Sequence, residues 1–392
     1  MAASLLAYEV SDLCIGKPPL RPLPFSSTVG EALLSFKLFG ESCLSVWAEG
    51  SPAPSPSSGN KSSDVATACA GKLCMVEVIC YLCREENLAN PSAALSSPVS
   101  ALFAEGSKGL VRLLDRHSSV LEALDVILDG AQNLTVPLRG SGAAGRKRPQ
   151  VGALGLCWLT PEDFVRFFFN SVGAFSPVAA LSVESLGLVR PETLAIRYDE
   201  PALSAVTLIK AAVASQTAVA VVTGDGKLIG EISPSLLAGC DETVVAAVAT
   251  LSAGELMAFL GCGGDPPEEA VAAVKARLME RGMKGLLELV EEEDASVPSL
   301  SSLSSGSSSG SSSSDEELAA PARTRTRGRR RSAPTRRRTE EAVVCHRGSS
   351  LVAVMIQALA HRVSYVWVVE EDYELAGVVT FTDVLKVFRE RV

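Results

Sequence analysis

Residues 377–388, GVVTFTDVLKVF, change character half-way along. Up to Thr380 the stretch is Val-rich and reads as a buried strand. From there on it reads as an apolar-striped helix. Asp383 follows Thr380 by three residues, the spacing of a capping box, in which the two residues serve each other's backbone N–H groups. Whether this pair only caps a helix or also holds a ligand depends on what lies around it.

Working outward, "GSSLVAVMIQALAHR" places Leu351, Val354, Met355 and Ala358 at helical spacing behind a Ser349 or Ser350 cap. "VSYVWVVE" reads as a strand, "EDYE" as a turn and "LAGVVT" as a second, antiparallel strand, while "EAVVCH" is a short leading strand. The unit is strand, helix, strand, strand, helix. Three more copies lie upstream, at about 19–83, 110–169 and 193–237. In the third, Gly-Asp-Gly between two apolar runs is a hairpin signal. The opening helices align without gaps as "SSTVGEAL", "HSSVLEAL", "DEPALSAV" and "RGSSLVAV", with Ala32, Ala123, Ala205 and Ala353 at the seventh position. A small residue there lets a helix sit close to its sheet.

Four units of this kind resemble the CBS (cystathionine-β-synthase) repeat. The resemblance rests on the aligned helix starts and on the strand-to-helix junction around Thr380, and covers roughly 60% of the chain. It implies an α+β fold of four β-α-β-β-α CBS repeats, paired into two Bateman modules, with a helical insertion and a disordered Ser/Arg linker. The expected boundaries are 10–85 (insert 49–66), 105–172 (insert 139–152), 176–237, an insertion at 238–295, a linker at 296–340, and 341–392. A four-repeat chain looks like the nucleotide-sensing gamma subunit of AMP-activated protein kinase and its sucrose-non-fermenting relatives. The opening "LLAYEVSDLCIGKPPL" and the Ser/Arg linker look closer to plant CBS-domain proteins.

The resemblance implies an adenosine ligand such as AMP, ADP or ATP at the closing junctions. A helix start offers N–H groups to a phosphate, a Thr hydroxyl adds a hydrogen bond, and an ionised Asp can accept from ribose hydroxyls. The expected ligand-binding residues are Gly377, Thr380 and Asp383 in the fourth unit and Thr160 and Asp163 in the second, where Cys157 replaces the glycine. Ser233 and Glu77 are weaker candidates. Unit one has Gly71 and Cys74 at this junction, so the hydroxyl is gone; unit three has Gly230 and Leu236, so the acid is gone. The function expected is that of a non-catalytic regulator acting on a protein partner, with a kinase complex and a homodimer as open possibilities. Alternatives are a ligand-free scaffold or kinase-associated subunit, and a thiol redox protein using Cys80 and Cys83.

Charge and composition narrow the field. The net charge is −9, but residues 323–338 hold nine Arg and no acid, which leaves −18 on the rest. The folded part should not bind nucleic acid generally. The Arg run reads as a solvated tether, a nuclear import signal or an RNA contact, so the localisation expected is cytoplasmic or nuclear. The start carries Glu9 and Asp12 and has no long apolar core, unlike a secretory signal. Ten Cys lie mostly in apolar runs and suggest reduced, buried thiols. Residues 203–222 imitate a membrane span, but Lys210 sits near the middle and "TGDG" follows, so a helix and a buried strand are expected instead. Cys80 and Cys83 fall late in an apolar helix and read mainly as packing, with thiol chemistry or metal binding as alternatives. His117 and His346 precede opening helices and read as solvated loop residues or phosphate neighbours. No Ser/His/Asp set, HExxH, P-loop or dinucleotide fingerprint is present.

Overall fold

The structure, a computed structural model, describes residues 8–39, 43–47, 69–103, 110–138, 155–262, 266–296 and 341–391. The inserts at 49–66 and 139–152 and nearly all of the 296–340 linker lie outside the described residues.

The four repeats share one topology. The first has β1 (Pro22–Pro24), α1 (Val29–Phe39), β2 (Cys43–Trp47), β3 (Cys69–Cys74) and α2 (Met75–Leu82). The second has β4 (Val111–Leu113), α3 (Val120–Leu128), β5 (Asn133–Pro137), β6 (Leu156–Leu159) and α4 (Pro161–Asn170). The third has β7 (Ala195–Arg197), α5 (Ala205–Ser215), β8 (Val219–Val222), β9 (Leu228–Ile232) and a short α6 (Pro234–Leu237). An insertion follows, with α7 (Val244–Thr250), α8 (Ala253–Leu260), α9 (Glu268–Glu280) and α10 (Lys284–Ser296). The fourth has β10 (Val344–Cys345), α11 (Leu351–His361), β11 (Tyr365–Val369), β12 (Leu375–Thr380) and α12 (Phe381–Arg389). In every sheet the leading strand runs parallel to the second, and the second antiparallel to the third. Parallel neighbours need a crossover, and each opening helix supplies it.

The gap-free alignment of helix starts holds in three repeats and is one residue out in the fourth, where the cap is Ser350 rather than the aligned Ser349. Thr28, Ser119 and Ser350 each accept a hydrogen bond from the N–H three residues on. Pro201 stands at this place in repeat three and has no side-chain acceptor; a 3-10 turn (Ala202–Ser204) precedes α5 there. The residue before each opening helical turn also forms an isolated antiparallel bridge to chain outside its own repeat: Thr28 with Pro98, Ser119 with Glu9, Pro201 with Ser252, Ser350 with Ser182. Ala32, Ala123 and Ala205 are fully buried, as close packing requires. In repeat four the residue four past the Ser350 cap is Val354, which is buried, so Ala353 does not hold the close-packing position and is only half-buried. The span-like residues 203–222 break at Gln216, which is left-handed (φ 56°), between α5 and β8. No helix among the described residues is long and apolar enough to cross a membrane.

Repeats pair through their sheets and the modules meet through their helices. In the first module Lys72 on β3 donates to Asn133 on β5 at 3.3 Å. In the second, Tyr365 and Trp367 on β11 each donate to Glu231 on β9 at 2.7 Å. Across the modules, α2 packs on α5 and α6, and α4 packs on α11 and α12. The Phe168 and Phe388 rings stack in parallel at 4.9 Å at this second contact. One core cluster therefore spans repeats one and three and the insertion, and the other is centred on repeats two and four. The insertion covers a module face: α7 is buried along its whole length, and α8 lies over the third sheet.

Candidate functional site

The closing junctions form the caps their spacing implies. Thr380 N–H donates to Asp383 Oδ2 at 3.1 Å, and Asp383 N–H donates to Thr380 Oγ1 at 3.3 Å. Thr160 N–H reaches Asp163 Oδ2 at 2.7 Å, and Cys74 N–H reaches Glu77 Oε2 at 2.6 Å. Ser233 Oγ accepts from Leu236 N–H at 3.2 Å. Thr380 and Asp383 are 3% and 7% exposed, so this pair sits inside the protein rather than in bulk water.

What meets Asp383 comes from far along the chain. Arg190, in the segment leading into repeat three, donates from Nε to Asp383 Oδ1 at 2.7 Å and from Nη2 to the same oxygen. Oδ2 takes the N–H and hydroxyl of Thr380. A carboxylate has about four acceptor sites, and here all are filled. Arg190 also exchanges backbone hydrogen bonds with Val378 on β12. The ribose clamp expected from Thr380 and Asp383 is thus occupied by an internal guanidinium. Repeat two has a counterpart: Lys17 Nζ lies 2.7 Å from Asp163 Oδ1, and Leu20 N–H bonds Leu156 O on β6. Lys17-Pro18 and Arg190-Pro191 stand fifteen residues ahead of Ala32 and Ala205 in the aligned helices. That shared register of a basic residue before proline was the available sequence signal; the repeat alignment began downstream of it.

The glycine position is covered as well. A Cβ on Gly377 would lie 2.5 Å from Arg190 O and 2.7 Å from Val189 Cγ1. At Gly71 the obstacle is the Phe103 ring, and at Gly230 it is the Met257 side chain of α8. Gly377→Ala forces backbone to move and should cost about 1–3 kcal/mol, as overpacking does. Gly230→Ala meets only a flexible thioether and should cost under about 1 kcal/mol. Urea midpoints of the two variants check the order; equal losses would contradict it.

An open cavity lies elsewhere, where all four repeats converge. Its volume is about 370 Å³, and Cys74, Glu77, Thr160, Glu162, Ser233, Ser235 and Phe381 belong to its wall. These residues mark the starts of α2, α4, α6 and α12. Thr160, Ser233 and Glu77 of the expected residues therefore face one space; Gly377, Thr380, Asp383 and Asp163 are not on its wall. Lys72, Asn133, Gln132, Gln216 and Arg362 add polar groups, and Phe103, Val213 and Val363 add apolar surface. Burial works against the Lys72 charge, but Cys74, Cys43 and Glu77 outweigh it and hold the ammonium above the ordinary lysine value. Burial raises the Glu77 carboxyl, against the Cys74 N–H and Lys72, which lower it.

Cys80 and Cys83 are buried in the helical core, and burial pushes the Cys80 thiol up to about 12 and the Cys83 thiol higher. A redox thiol needs the opposite environment, so packing is their role here. Among the described residues no cluster of three or more His, Cys, Asp or Glu could hold a metal ion. His117 pairs with Glu9 at 2.9 Å and His346 bonds Val369 O at 3.0 Å; neither lines the cavity.

Comparison with known proteins agrees with this architecture. The CBS domain family model matches residues 338–390. Over its whole length the chain is 42% identical to the Arabidopsis thaliana CBS domain-containing protein CBSX5, spanning 98% of that protein. The chain is a CBS-domain protein. As such it is also 23% identical to the Arabidopsis SNF1-related protein kinase regulatory subunit gamma-like PV42b, over 98% of this chain and 95% of that one. Its fold matches a Methanocaldococcus jannaschii protein described as a candidate archaeal homologue of γ-AMPK, with a TM-score of 0.54 at 13% identity, over 97% and 100% of the two chains. The resemblance read from the repeats, to plant CBS-domain proteins and to kinase gamma subunits, is borne out.

Proposed function

We propose that this CBS-domain protein is a non-catalytic regulator that takes an adenosine-containing, phosphate-bearing ligand into its central cavity and passes occupancy to a protein partner. The observation that carries the reading is the convergence of the four closing-helix starts on one cavity beside Lys72. Helix N–H groups and an ammonium suit phosphate oxygens, while Phe103, Val213 and Val363 offer apolar surface to a base. Lys72 Nζ has one described hydrogen bond, to the neutral Asn133, and an ammonium carries three donors. The relatives named as kinase gamma-like subunits support a protein partner.

A second reading, a ligand-free scaffold, is favoured by the internal cations on Asp383 and Asp163. A thermal-shift series with AMP, ADP, ATP, NAD and S-adenosylmethionine separates the two. Mass action requires the melting temperature to rise with ligand concentration. Lys72→Gln should weaken binding about tenfold or more, since a charged hydrogen bond contributes about 1.5–3 kcal/mol, and Asp383→Ala should leave affinity unchanged. The reverse result would place the ligand at the Arg190 cleft. No shift with any compound up to millimolar concentration would leave the scaffold.

A further inference from the structure

Two cysteines stand opposite one another in the first sheet. Cys43 and Cys74 are directly paired in the antiparallel register of β2 and β3. Their side chains are close enough for each to influence the other's titration. Opposed residues of such a pair have Cα atoms about 4.5–5.5 Å apart, inside the roughly 4.4–6.8 Å that a disulfide spans. The register therefore places the two residues within the Cα range of a disulfide. Neither residue is fully buried, and Cys74 is on the cavity wall, where a small reagent can enter. Lys72 lies two residues before Cys74 on the same face of β3, and its ammonium is close enough to both sulfurs to interact with them. A neighbouring cation favours the thiolate that oxidation needs.

Other thiols lack this combination. Cys14 and Cys157 stand in the same relation, but both are buried. Cys80 and Cys83 are sealed in the core, and Cys262 is exposed.

We propose that Cys43 and Cys74 form a modification site, a cross-strand thiol pair that a peroxide converts to an intramolecular disulfide. The Cys43 thiolate attacks one peroxide oxygen and becomes a sulfenic acid, and the hydroxide released takes up the thiol proton and leaves as water. The Cys74 thiol then attacks that sulfur; the S–S bond forms, the S–O bond breaks and a second water leaves. Two thiols lose two electrons and two protons, and the peroxide accepts both. Cys43 attacks first because its own side chain, together with burial, holds Cys74 well above the ordinary thiol value.

The test uses the full-length reduced protein, a few equivalents of hydrogen peroxide, alkylation and peptide mapping, with fragmentation that distinguishes Cys74 from Cys80 and Cys83. A Cys43–Cys74 linked peptide, reversed by dithiothreitol and at least several-fold more abundant than in the urea-unfolded chain, is the expected result. In Cys74→Ser, dimedone should trap a sulfenic acid on Cys43. The proposal is overturned if Cys43 and Cys74 stay fully alkylatable while Cys262 oxidises, or if native and unfolded chains give the same mixture of pairs.

Discussion

Truncating Phe388 to alanine should lower unfolding free energy by about 3–5 kcal/mol, the usual range for a buried phenylalanine. The ring is fully buried and sits where the two modules touch. It stacks on Phe168 and meets Phe175 edge-on at 5.1 Å, so its loss empties space that three elements share. Phe168 and Phe388 each stand eight residues past the junction threonine, and the pair lies at equivalent places in repeats two and four. Neither neighbour can fill the gap without moving α4 or α12. Phe388→Leu, which keeps most of the apolar bulk but not the ring, should recover part of the loss. Chemical denaturation of the three proteins is the measurement; an alanine variant within about 1 kcal/mol of the parent would show that the modules do not depend on this contact.

Arg190→Ala should be the next most damaging change, at about 2–3 kcal/mol. Removing one partner of a buried ion pair costs roughly 3–5 kcal/mol, because the other charge stays behind unpaired. Asp383 is in that position, but the Arg190 side chain is 40% exposed, and solvent screening lowers the figure. The backbone bonds of Arg190 with Val378 survive the substitution, so the loss reports on the guanidinium. Lys17→Ala should cost less, about 1 kcal/mol, since a single ammonium contact to Asp163 replaces the two-nitrogen contact of arginine. A double-mutant cycle between Arg190 and Asp383 isolates the pair. A coupling energy near zero would mean that Asp383 is held by Thr380 alone and that the cleft is open to other cations or ligands.

The repeat was legible because its signals are local. The Ser and Thr caps, the Gly-Asp-Gly hairpin and the Val-rich strands depend on residues within a few positions of each other, and the structure forms the elements they imply. The closing caps were legible for the same reason. Two details were not. Ala353 occupies the close-packing position in the alignment yet is only half-buried, because two adjacent serines could cap α11 and the structure uses Ser350, which moves that position to Val354. The insertion could have covered a module or left a groove; burial of α7 and the seat of Met257 over Gly230 decide for cover.

The amino-acid sequence by itself determined four β-α-β-β-α repeats and the residues at each junction, since periodicity and capping act over a single turn. The tertiary structure alone decided that Arg190 closes on Asp383 across 193 residues of chain, that Lys17 does the same at Asp163, and that Thr160, Ser233 and Glu77 share one cavity. Ion pairing and cavity shape depend on distance in space, and that distance is set only when the sheets pair within modules and the helices pack between them.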